Sequence, residues 1–185
     1  MQPKIMSRFE RLTDRRQVFL ERIARLSAAQ QRFKPAAEVW CALEVAEHLL
    51  IVELGLSERW LAAAPLEVAM LKPVTVRSQV LGWALVVGLR TPVRIKTPTQ
   101  AADPTQIPTL EVVRARWQAH HERVRAQLEP LPVSALSQPA SHHPMVKPLT
   151  LAQTLAFFEA HIQHHFHQLE LLRRDPAFPE ASQVI

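Results

Sequence analysis

Apolar positions recur with the period of an α-helix in four stretches of this chain. In the first, Ile5, Phe9, Leu12, Phe19, Ile23 and Leu26 follow one another at three- and four-residue spacings, and Arg16 fills the one place in the series that is not apolar. That spacing predicts a helix over 4–29 with a single buried stripe. The second stretch, 39–63, carries two apolar rows: Leu43, Ala46, Leu50, Leu54 and Leu61 in one, Cys41, Val45, His48, Val52 and Leu56 in the other. A helix apolar on more than one side is packed on several faces. The third, 109–129, lines up Leu110, Val113, Trp117, Val124 and Leu128, with His120 at the intervening position. The fourth, 150–173, runs Leu151, Leu155, Phe158, Ile162, His165, Leu169 and Leu172, the spacing of an antiparallel packing seam, and it puts His165 at a core position.

Helices that neighbour one another in a bundle are joined by roughly two to eight residues, yet the second and third are separated by the long segment 65–108. The expected fold is therefore all-α, a four-helix bundle with a long crossover connection between helices 2 and 3, in a single domain over 1–185. Six of the fifteen prolines fall between Pro65 and Pro108, so the crossover holds only a short helix near 76–90, and "PVRIKTP" at 92–98 reads as an extended linker. The apolar run "VLGWALVVGL" at 80–89 is too short to cross a bilayer core of about 30 Å. It reads as a buried or interface helix, and a homodimer is the expected assembly if it is an interface.

Composition removes several functions. None of the three glycines, Gly55, Gly82 and Gly88, lies in a phosphate-cradling pattern, which excludes a nucleotide loop. Cys41 is the only cysteine, so neither an internal disulfide nor a cysteine zinc site can form; it is expected as a small core residue. The N-terminal segment has no apolar signal core, and a cytoplasmic protein is expected. Residues 1–34 hold nine Lys/Arg against three Asp/Glu. These cations are interspersed with Glu10 and Asp14, and no loop interleaves aromatics for base stacking, so nucleic-acid binding is not expected.

The chemistry lies in the histidines. His161 and His165 are four residues apart and stack on one helix face about 6 Å from each other, where both side chains can reach one metal ion. His164 and His167 point elsewhere. His48 sits in an apolar row of the second helix, where an unpaired imidazole is costly and a metal bond would satisfy it. Three imidazoles from two facing helices leave coordination positions open for water or substrate. Two other metal patterns fail: Ile162 stands where a zinc-protease helix needs Glu, and no histidine has Glu three residues before it, as di-iron bundles require.

Two segments resemble the signatures of the DinB/YfiT-like metalloenzymes. "VWCALEVAEHL" at 39–49 is similar to W-x-x-x-E-x-x-x-H-L, and "HIQHHFHQLELL" at 161–172 is similar to H-x-x-H-H-x-x-Q-[LI]. "SHHPMVKPLT" at 141–150 looks like the H-P-x-F-G-x-L-T lead-in of one subgroup, with Met145, Val146 and Lys147 in place of the Phe-Gly stretch. The resemblance implies a four-helix bundle and a divalent metal (zinc, nickel or iron) held by His48, His161 and His165. It also implies a low-molecular-weight thiol as cosubstrate in some members. Glu44, one turn before His48, and Gln168, three residues after His165, are candidates to orient the ligands.

Two classes of function stay open. One is a metal-dependent enzyme acting on a small molecule, as a thiol S-transferase or a hydrolase. The other is a non-catalytic metal-binding or dimerising stress-response bundle, whose site would be closed by a fourth ligand such as His120 or His143.

Overall fold

A computed structural model describes residues 3–62, 74–91 and 103–180, and these are mostly helical. Helix α1 spans Pro3–Ala24, opening on a proline whose missing N–H costs nothing in a first turn. Its stripe is buried as the spacing predicts, from Ile5 and Phe9 to Phe19 and Ile23, and Arg16 is buried with it. The expected continuation to residue 29 does not occur. Ser27 accepts from the backbone N–H of Gln30, whose side chain returns to the Ser27 N–H, and this capping box starts a separate short helix, α2, at Ala28–Arg32.

Helix α3, Ala42–Ala62, begins three residues later than expected, because Glu44 in its first turn accepts a hydrogen bond from the Cys41 N–H at 2.8 Å and so fixes the start. Every residue from Cys41 to Leu50 is buried, as two apolar rows require. Helix α4, Val76–Leu89, is capped by Thr75, and α5, Leu110–Leu128, by Thr109. The expected extended linker at 92–98 lies outside the described residues.

One element was not expected from the sequence. After a 3-10 turn at Val133–Ser137, β1 (Pro139–His143) pairs antiparallel with β2 (Lys147–Thr150), Ser141 opposite Leu149 and His143 opposite Lys147. Pro139 at the start of the first strand, Pro148 within the second and the histidines of the first hide the alternation that marks a hairpin. Thr150 ends β2 and at once caps α6 (Leu151–Arg173) in a second capping box with Gln153, so the hairpin sets where α6 begins.

Packing follows from the stripes. Helix α1 lies against α6 and α5, and α3 lies against α5, α6 and β1; α4 packs on α6 and β2. The buried side chains of α1, α3, α5 and α6 form one continuous core, with Trp117 and Phe9 among its largest members. The apolar segment 80–89 is divided: Gly82, Val86 and Leu89 are buried, while Val80, Leu81, Trp83 and Val87 face outward. No helix of the described residues is long and apolar enough to cross a membrane.

Gly82 marks the tightest point of the α4–α6 contact. A Cβ there would stand 2.7 Å from the Gln153 Nε2 and 2.8 Å from the Leu149 Cδ2. Gln153 cannot give way freely, since its amide also bonds the Gln79 carbonyl at 2.7 Å and the Thr150 N–H. Gly82→Ala should therefore destabilise by about 1–3 kcal/mol, whereas Gly55→Ala, with nothing within 4 Å, should be neutral or stabilising by up to about 1 kcal/mol. Thermal melts of both variants check this, and a Gly82→Ala protein melting at or above the wild type would refute the tight contact.

Candidate metal centre

Helix α3 presents His48 and α6 presents His161 and His165 to the seam between them. The Nε2 of His161 lies 3.3 Å from that of His48 and 3.1 Å from that of His165. One nitrogen from each of the three residues falls within 4.8 Å of the other two, and the side chains are 2 %, 9 % and 6 % exposed. The i, i+4 spacing on α6 brings its two rings to one face, with centroids 4.7 Å apart.

Protonation follows from the partners. The Gln168 carbonyl oxygen lies 2.7 Å from the His165 Nδ1 and can only accept, so Nδ1 carries the proton and Nε2 turns a lone pair inward. A proton on the His161 Nε2 can serve only one of its two neighbours; a divalent cation serves all three. The imidazoles are also kept ready to ligate. Burial, and then the neighbouring His165 and His48, hold His161 well below the ordinary imidazole range. Burial and then His48 push His165 down to about 3, although its bond to Gln168 works in the opposite direction. Neutral imidazole is the form that binds metal, so this donor set fits a divalent ion of the imidazole-favouring kind.

Aromatic rings fix the imidazoles from behind. Trp40 packs on His48 with ring centroids 4.7 Å apart, and Phe157 stacks on His161 at 5.2 Å. Phe157 did not stand out in the sequence, although its place four residues before His161 is the available signal.

The remaining candidates are dispersed. His164 lies against the backbone that closes α4, at Leu89 and Thr91, and the Nδ1 of His167 faces the Gln163 carbonyl at 3.2 Å. His120 meets Ser57 at 3.2 Å, and His143 packs on Phe157 with ring centroids 5.0 Å apart. Neither belongs to the group of three, so the described residues bring no fourth histidine to it. Glu44 bonds the Cys41 N–H at 2.8 Å and Lys34 at 3.0 Å, at the head of α3. Cys41 is fully buried, and burial raises its thiol above the ordinary range, which keeps it un-ionised.

No curated protein and no solved structure matches the chain. A family model does match, that of the DinB superfamily, over residues 11–169. This stretch runs from α1 through α6 and takes in all three converging histidines and Gln168, and the chain belongs to the DinB superfamily.

Proposed function

We propose that the protein is a metal-dependent enzyme of the DinB superfamily that binds one divalent ion through His48, His161 and His165 and acts on a small molecule, as a low-molecular-weight-thiol S-transferase or a hydrolase. The observation that carries this reading is the convergence of three buried imidazole nitrogens on one place. The four long helices α1, α3, α5 and α6 would then be the bundle, and the chain from α3 through α4 to α5 its crossover.

The chain's own residues have clear parts in this scheme. Gln168 holds the His165 ring with its Nε2 inward, as hydrogen-bonded neighbours of ligating histidines do. Trp40 and Phe157 fix the rings of His48 and His161 and keep water from their backs. Three protein ligands leave positions open for substrate, in contrast with the four of a closed structural site. A divalent ion bound there supplies Lewis acidity, which makes a thiol or a water nucleophilic near neutral pH.

A second reading, a bundle that works through association with another copy, is favoured by the outward apolar side chains of α4. The two readings separate on whether metal content is tied to turnover.

Elemental analysis of untagged protein should find about one divalent ion per chain, and His48→Ala, His161→Ala and His165→Ala should each remove it. His164→Ala and His167→Ala should retain it, because those rings turn away from the group. Gln168→Ala should bind metal about 10- to 100-fold more weakly. Full metal content in both the His161 and the His165 variant would sink the assignment.

The lowered imidazole pKa values also predict an acid-sensitive metal-free protein. In the unfolded chain His165 gains a proton near its ordinary value of 6.5, whereas in the folded chain it does so only at about 3. Protons therefore favour the unfolded state throughout that window. Stability should be full above about pH 6.5 and fall as pH drops toward 3, by up to about 1.4 kcal/mol per pH unit for each such group. Denaturant midpoints of metal-free protein between pH 7 and 5 measure the slope, which should flatten in His165→Leu. An unchanged slope in that variant would show that the loss arises elsewhere.

A further inference from the structure

Helix α3 carries a second polar face, since Glu53 is five residues beyond His48 and thus about 140° around an axis that advances about 100° per residue. There α1, α3 and α5 enclose Arg16, Glu53, Ser57, His120 and His121, none more than 4 % exposed. Most of their hydrogen-bonding capacity is committed. The Oε2 of Glu53 accepts from the Trp117 Nε1–H and from the His121 Nε2–H, each at 2.9 Å. The His121 Nδ1 faces the Thr13 hydroxyl at 3.3 Å. Ser57 donates its hydroxyl proton to the carbonyls of its own helix, so in its 3.2 Å contact with the His120 Nε2 it accepts. His120 therefore carries its proton on Nε2, and its Nδ1 is a bare acceptor. The Arg16 Nη2 donates to the Gln118 carbonyl oxygen at 2.8 Å.

What remains is complementary. The Arg16 Nε and Nη1, the Glu53 Oε1 and the His120 Nδ1 are all buried and have no partner among the described residues. They share one neighbourhood: Arg16 reaches α5 at Gln118, Glu53 reaches it at Trp117 and His121, and the His120 ring lies 6.1 Å from that of His121. The open groups are guanidinium donors and two acceptors, and among the described residues no direct ion pair joins Arg16 to Glu53.

We propose that this centre is a binding site for water, in which ordered solvent accepts from the Arg16 guanidinium and donates to the Glu53 Oε1 and the His120 Nδ1. An added anion would face the Glu53 carboxylate, and an added cation the Arg16 guanidinium. A small neutral molecule that both donates and accepts suits both kinds of group, and a buried water typically makes about three such bonds. Arg16 and Glu53 thereby become a solvent-separated ion pair that ties α1 to α3 and α5. The site is independent of metal binding.

A crystal structure of the full chain at a resolution that shows ordered solvent tests this directly. Water within hydrogen-bond distance of Arg16 and of Glu53 or His120 is the expected result. A direct Arg16–Glu53 pair, or a dry centre, would overturn the proposal. In solution, Arg16→Met should lower the folding equilibrium constant by at least about tenfold, because it leaves the Glu53 carboxylate buried with no cation to balance its charge and its Oε1 without the solvent that Arg16 holds. Adding Glu53→Gln should recover part of that loss. Losses that simply add would show that the two residues are not coupled, against the proposal. Metal content unchanged in these variants is expected; its loss would show that the centre is part of the metal site and overturn its independence.

Discussion

Three imidazoles pressed together in the seam between α3 and α6 are the constraint around which the rest of the molecule is arranged. Rings buried this deeply hold their place only if both helices are fixed in rotation and in height, because a slip of one residue turns His161 or His165 out of the seam. The chain fixes α6 at its start, where the capping box of Thr150 and Gln153 follows directly on the hairpin. It fixes α6 again midway, where Phe158 and Ile162 enter the core while Phe157 stacks on His161. Helix α3 is fixed by burial on nearly every side over its first turns, which leaves the ring of His48 one way to face.

Helix α3 meets a second demand with the same backbone. Two of its buried polar residues belong to different partners: His48 to α6, and Glu53 to Trp117 and His121 of α5. A buried carboxylate tolerates loss of water only with donors on its oxygens, and α5 supplies two of them from adjacent turns. The histidine seam and the polar centre thus hold α3 from two directions. Specific polar partners on both sides disfavour rotations that hydrophobic packing alone would allow.

Much of this was legible in the sequence, because the demands on the long helices are periodic. Spacings of three and four located α1, α3, α5 and α6, and the same periodicity put His165 at a core place and His161 beside it. The misses are places where local hydrogen bonding overrides the period. Leu26 continues the stripe of α1, yet the Ser27–Gln30 capping box ends that helix earlier. The hairpin carries its signal in cross-strand pairing, such as Ser141 with Leu149, which a reading along the chain does not register. The polar centre was half visible: Arg16 and His120 stood out as interruptions of apolar rows, but Glu53, between Val52 and Leu54, falls in neither apolar row of its helix and reads as an ordinary charged residue.

Helix α4 shows how one element can serve the site without touching it. Its Gly82 side lets α6 approach until Gln153 reaches the Gln79 carbonyl, and its C-terminal backbone meets His164, the neighbour of a candidate ligand. Both contacts act on α6, one on its first turn and the other on the turn that carries His161 and His165. The height of α6 against α3 is thereby set from two sides, by the hairpin and α3 on one and by α4 on the other. Small residues on the inner side of α4 allow this close approach, while Val80, Trp83 and Val87 stay on its outer side, where they do not interfere with the seam.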